Sequence, residues 1–359
     1  MTSTRRRDYF RAMTVRAFFS AVSIIAAAAG AVLITVFVVV PNVKYRLAVS
    51  AMERGEYDRA IDDFSGLGDY RDCLDMTLAC INLRDGLSLD YAVSTDSCPW
   101  FSIDSRGRLS FTSEQYPGGG ELSVPQVADG VVVTEIADGG FSYSPYITSV
   151  TLPDTLRSIG QSAFSCCTSL KAIDIPEGVT EIGDNAFQSC IALESAVLPE
   201  GLSSTGSGVF KNCISLAAVT LPDSVSIISN SMFLNCASLN EVSLGDGVMV
   251  IAGLAFSGCS SLEAISLPSS LRYIGSSGFS DCTSLSTLTV PEGVTELGRS
   301  VFDGCTALKE IYLPASLEAA GDDIFNGCTG LSVIHYAGTS DDFALINISH
   351  GGAVIEYAA

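Results

Sequence analysis

The chain has 359 residues, 47% of them hydrophobic, and a formal net charge of −21. Residues 1–46 hold seven Lys/Arg and one Asp, which leaves 12 basic against 39 acidic side chains in the remainder. So acidic a body excludes nucleic acid as a partner, because that binding needs a basic footprint. His335 and His350 are the two histidines, and the cysteines follow a regular series without metal-ligand spacing, so no metal or other cofactor is expected.

Taken in order, residues 1–16 form a basic tail with Arg5, Arg6, Arg7, Arg11 and Arg16. Residues 17–40 are uncharged and apolar, long enough to cross a bilayer core of about 30 Å. The competing reading is a cleaved signal peptide at Ala27-Ala28-Ala29, against which apolar residues continue to Val40. The expectation is a single-pass membrane protein with a cytoplasmic N-terminus by the positive-inside rule and everything after Pro41 outside the cytoplasm.

Residues 43–86 show helical periodicity broken at Gly55 and at Gly66-Leu67-Gly68. The run Ala48, Met52, Gly55, Tyr57, Ala60, Ile61, Phe64, leading into Leu67 to Asp72, resembles one tetratricopeptide-like helical hairpin. A single hairpin lacks the groove of an array, so it is expected to act as a stalk. Residues 87–130 change to strand alternation, with Trp100, Phe101, Ile103, Leu109 and Phe111 about a Ser-Arg-Gly turn. They are expected to cap the first coil of a repeat array.

Over residues 131–336 the pattern repeats every 23 residues. Phe141, Phe164, Phe187, Phe210, Phe233, Phe256, Phe279, Phe302 and Phe325 keep that register. Cys167, Cys190, Cys213, Cys236, Cys259, Cys282, Cys305 and Cys328 each come three positions after a phenylalanine. The unit reads Leu-x-x-Ile-x-Leu-Pro-x-x-Val-x-x-Ile-Gly-x-x-Ala-Phe-x-x-Cys. One coil buries about seven apolar side chains at about 1.5 to 3 kcal/mol each, against roughly 1.5 kcal/mol per ordered residue, so a single coil cannot fold alone. Stacking like on like makes a solenoid, with the Phe and Cys columns as its core ladder. Each coil is expected to carry a strand at Leu-x-x-Ile-x-Leu, a second short strand at Val-x-x-Ile and a helical turn around Ala-Phe-x-x-Cys. Adjacent coils bring cysteine Cα atoms to about 4.8 Å, within the disulfide window. The column position nevertheless favours buried thiols. The repeat breaks at Ala337, and residues 337–359 read as a strand-forming cap through Ile346-x-Ile348 and Val354-Ile355-x-Tyr357.

The unit resembles the BspA-type bacterial leucine-rich repeat over residues 87–359, through its Leu-x-x-Ile-x-Leu-Pro, Ile-Gly-x-x-Ala-Phe and Phe-x-x-Cys segments. That resemblance implies a mainly β solenoid, a leucine-rich repeat superhelix, and cell-surface adhesion to host or matrix proteins. Departures are local: Thr205 for Ile, Gly245 for Pro, and Ser229 and Ala252 for Gly, each expected to soften a single coil.

Residues flanking the Ile of each strand point outward by alternation. Most are small, and Glu241, Glu310, Tyr312 and His335 are the candidate partner-binding residues, the last three stacking on successive strands. Tyr is a frequent interface anchor; the competing reading is that Tyr312 and His335 shield the last coil. A column after the proline, Asp154, Glu177, Glu200, Asp223, Asp246 and Glu292, is read either as turn chemistry or as an attractor for a basic partner or Ca²⁺. No catalytic constellation stands out. The expected function is non-enzymatic binding of a protein, either a host or matrix component or, alternatively, a wall or membrane protein of the producer's own envelope.

Overall fold

The computed structural model describes residues 92–93, 100–111, 120–346 and 348–358. They fall into two compact units, one of residues up to 107 together with 123–133, the other of 108–122 together with 134–358. In the first, strand Ala92–Val93 pairs in parallel with Val127–Ala128, which turns back on Val131–Val132. The turn is Asp129-Gly130, both at positive φ, the pairing favoured in two-residue hairpins. A second turn closes at Asp104–Gly107, where the Gly107 N–H donates to the Asp104 carbonyl at 3.0 Å.

The second unit is a β-solenoid of about ten turns with 23-residue coils. One side carries the strands Ser149–Thr151, Ala172–Asp174, Ser195–Val197, Ala218–Thr220 and Glu241–Ser243, paired in parallel at a 23-residue offset. The same side resumes at Thr287–Thr289, Glu310–Leu313 and Val333–Tyr336. A second side carries two-residue strands such as Glu181–Ile182 and Tyr273–Ile274, also parallel.

The third side differs from the expected helical turn. The N–H groups of Ala163, Ser165 and Cys167 donate within their own coil to Gly160, Ser162 and Phe164. Those of Ser162, Phe164 and Cys166 donate to the next coil, at Asp184, Ala186 and Gln188. A helix would need all of them internally. Two residues per coil at positive φ, such as Asn185 (55°) and Ser189 (59°), send alternate donors outward instead. This side is therefore a hydrogen-bonded ladder in its own right.

Inside, the phenylalanines from Phe141 to Phe302 are fully buried and Phe325 is 7% exposed. Each ring stacks on the next with centroids 4.9 to 6.0 Å apart from Phe141 to Phe325, and Phe111 extends the column at 5.1 Å. The glycine after each second-side strand has a different reason. A Cβ on Gly183 would lie 2.6 Å from the Gln161 nitrogen and one on Gly298 2.4 Å from that of Ser276, so the coils can close up there only without a side chain. Where Ser229 occupies that slot, its hydroxyl donates to the Gly206 carbonyl at 2.6 Å and also contacts the Thr205 hydroxyl. There the second-side sheet divides, with Ser204–Thr205 ending one sheet and Ile227–Ile228 beginning another.

The C-terminal cap corrects a second expectation. Ile346 ends an α-helix, Ser340–Ile346, rather than starting a strand. Thr339 and Asp342 cap it reciprocally: the Asp342 N–H donates to the Thr339 hydroxyl and the Thr339 N–H to the Asp342 carboxylate, both at 3.2 Å. Buried Phe343 packs edge-on against Tyr336 at 5.2 Å, and strand Val354–Tyr357 then pairs in parallel with Val333–Tyr336.

The single-pass membrane localisation is also corrected: among the described residues no helix is long and apolar enough to cross a membrane. The span expected over 17–40 and the helical hairpin expected over 43–86 lie outside the described residues.

Candidate functional site

Three parallel strands, Glu310–Leu313, Val333–Tyr336 and Val354–Tyr357, end the first side of the solenoid. Their register aligns Tyr312 with His335 and His335 with Glu356. Alternation buries Ile311, Leu313, Ile334 and Tyr336 beneath and turns Glu310, Tyr312, Val333, His335, Val354 and Glu356 to the opposite face.

On that face the Tyr312 ring lies flat on the His335 imidazole, centroids 4.3 Å apart and planes 9° from parallel. Tyr312 is still 40% exposed. Two carboxylates flank the imidazole: Glu356 Oε2 lies 3.1 Å from Nδ1 and Glu310 Oε2 lies 3.8 Å from Nε2. The Tyr312 hydroxyl reaches Glu310 Oε2 at 3.4 Å. The cluster thus presents an aromatic pair with a polar, acidic border, held on strands rather than on loops.

Of the residues named from the sequence, Glu310, Tyr312 and His335 are brought together. Glu241 is not among them; it lies on a different sheet and lines a cleft with Ala218 to Thr220, Asn240 to Leu244 and Ala264 to Ser266. Glu356 is a member of the cluster that sequence reasoning does not find. The alternation Val354-Ile355-Glu356-Tyr357 is a legible strand signal, but its offset from Val333–Tyr336 is 21 residues, not 23, so the repeat could not place it beside His335.

The column cysteines carry hydrogen bonds as well as packing. The thiol of Cys213 donates to the Phe187 carbonyl at 3.1 Å, and every column cysteine from Cys167 to Cys328 does likewise to the Phe 26 residues earlier. All are free thiols. Burial pushes Cys167, Cys236 and Cys282 up to about 12. At the C-terminal end a hydrogen bond with Cys328 raises Cys305, and its counterpart lowers Cys328.

The post-proline carboxylates are tied to the coil above them. Asp223 Oδ1 accepts the Asp246 N–H at 2.7 Å, Glu177 accepts that of Glu200 at 3.3 Å, and Glu292 accepts that of Ala315 at 3.2 Å. Among the described residues no group of three or more His, Cys, Asp or Glu is arranged to hold a metal ion.

Stacked 23-residue coils with a parallel strand side and an inward Leu, Ile and Phe column define a leucine-rich repeat protein. The profile of the BspA type leucine rich repeat region matches residues 134–263 and 227–344, in six copies. The chain belongs to that family. A leucine-rich repeat protein from Bacteroides ovatus is similar in structure, with TM-score 0.54 and 27% identity over 72% of this chain and 74% of that one. The T. pallidum leucine rich repeat protein is 35% identical over 52% of this chain and 86% of that one, with TM-score 0.47. No curated protein matches this chain.

Proposed function

We propose that the solenoid is a non-enzymatic protein-binding scaffold, that its docking surface is the face formed by Glu310, Tyr312, His335 and Glu356, and that its partner is a host or matrix protein to which it adheres. Leucine-rich repeat proteins generally bind proteins, which supports the class of function. The observation that carries the choice of surface is the exposed Tyr312 ring stacked on His335 between two carboxylates. A preorganised aromatic loses little conformational freedom on binding, and tyrosine with a polar rim is a common energetic centre of interfaces. The acidic border and the net charge of −21 favour a partner surface rich in Lys and Arg. Adhesion is the activity implied by the family resemblance.

The test is binding of the full chain to immobilised matrix proteins, in parallel with the producer's own cell-envelope fraction. Saturable matrix binding that Tyr312→Ala abolishes supports the reading. Binding confined to the envelope fraction replaces the partner class, and binding to either that survives Tyr312→Ala refutes the surface.

A further inference from the structure

The strand side of the solenoid loses its ladder at one place. Glu241–Ser243 is the terminal strand of one sheet and Thr287–Thr289 that of another, and the intervening segment 264–266 is in neither. The opposite side stays closed, since Val250–Ile251 pairs with Tyr273–Ile274. The coils therefore part as a wedge, open on the strand side.

Burial records the same opening. The inward strand residues Val150, Ile173, Val219, Leu288, Ile311 and Ile334 are at most 6% exposed. Their counterparts Val242 and Ile265 are only half-buried, as are Leu244 and Leu267, where Leu221 and Val290 are buried. Gly245 supplies the physical cause. It stands where the repeat has proline, and a Cβ there would lie 2.6 Å from the carbonyl carbon and oxygen of Pro222. The missing side chain lets this coil settle toward the preceding one and away from Ala264–Ser266.

The result is a cleft of about 460 Å³ lined by 218–220, 240–244 and 264–266. That volume is ordinary for a ligand site. Its floor offers the apolar side chains of Val242, Leu244 and Ile265, its wall is an open strand edge, and at its rim Glu241 has no ion-pair partner among the described residues.

We propose that this cleft binds an extended polypeptide segment as an added strand. The edge at Glu241–Ser243 supplies backbone pairing, the mode by which peptides add to exposed sheet edges. Side chains of an extended segment alternate. One set enters the apolar floor at Val242, Leu244 and Ile265, and the other places a lysine or arginine beside Glu241. The occupant is thus a β-forming segment with basic residues on one face. The site is separate from the Tyr312 cluster and stands or falls independently of it.

The experiment uses the full chain and a fluorescent peptide of alternating valine and threonine with one central lysine, followed by anisotropy. Three companions complete it: the same peptide N-methylated along its backbone, the same peptide with norleucine for lysine, and the Glu241→Gln chain. The expected result is saturable binding, abolished by N-methylation and about tenfold weaker with norleucine or Glu241→Gln, the effect of one charge-assisted contact. Gly245→Ala restores a Cβ that pushes the coil toward Ala264–Ser266, and it abolishes binding. Should that variant fail to fold, Ser243→Trp fills the cleft from an exposed position and carries the same expectation, while Tyr312→Ala leaves binding unchanged. Absence of binding, binding that survives N-methylation or Ser243→Trp, or self-association of the chain in place of peptide binding overturns the proposal.

Discussion

The thiol of Cys190 donates a hydrogen bond to the carbonyl oxygen of Phe164, one coil back, at 3.1 Å. The same oxygen accepts the N–H of Cys167 at 3.2 Å. Each phenylalanine carbonyl in the core is thus satisfied twice, once from its own coil and once from the next. A buried acceptor and a buried weak donor answer each other, and the contact fixes the rise between coils.

Removing that donor is expected to cost more than lost packing alone. Cys213→Ala should lower stability by about 1 kcal/mol for the hydrogen bond to Phe187, in addition to the cavity. Urea unfolding checks this, with Cys213→Ser as the comparison. Serine keeps a donor and should lose less than Cys213→Val, which has none and is also larger.

The stacked rings make the largest single contribution per residue. Phe233 is fully buried, with Phe210 at 5.7 Å and Phe256 at 5.3 Å. Phe233→Ala should destabilise by roughly 3 to 5 kcal/mol. An unchanged melting curve would mean that the ring column does not hold the coils together.

The buried thiols give stability a pH dependence. Cys167, Cys236 and Cys282 are pushed up to about 12 in the fold from an ordinary value of 9.0, chiefly by burial. On raising the pH the unfolded chain loses these protons first, so it binds fewer than the native one and stability falls. The contribution is complete below pH 9.0 and is lost progressively up to about 12. Unfolding midpoints measured in a reducing agent across that range should fall with pH. In the same chain an alkylating reagent should reach Cys328 before the deeper column members, because Cys328 is partly exposed and its thiol is lowered by Cys305.

Leu254 sits at φ 58°, in the slot where neighbouring coils carry Ser231, Ser277 or Gly208. A branched side chain is strained there and glycine is not. Leu254 is 40% exposed, so little packing is forfeited. Leu254→Gly should stabilise by about 1 kcal/mol, read as a rise in the urea midpoint.

The legibility of the fold in the sequence comes from the repeat itself. Identical coils stack like on like, so a period of 23 residues places Phe187 on Phe210 and Glu310 beside Val333 without further information. The strand sides were legible for that reason. The third side was not, because Ala-Phe-x-x-Cys spacing suits a helical turn and only the positive φ at Asn185 and Ser189 shows that alternate donors leave the coil. Tyr312 and His335 were placed together by the same period, whereas Glu356 joins them at an offset of 21 set by the Ser340–Ile346 helix between. The cleft at Glu241 was least legible. Gly245 stands out as a departure from proline, but that it draws one coil toward Pro222 and opens the next depends on backbone distances of 2.6 Å that no pattern encodes.

The central claim is that the Tyr312 and His335 pair is a binding surface rather than a shield for the last coil. The direct measurement is a double-mutant cycle in the full chain, Tyr312→Ala and His335→Ala singly and together, with partner affinity and unfolding free energy determined for each. The binding account predicts at least about a tenfold loss of affinity for each single variant, coupled in the double variant, with little change in stability. Unchanged affinity together with a marked loss of stability would contradict it and leave the pair as part of the cap.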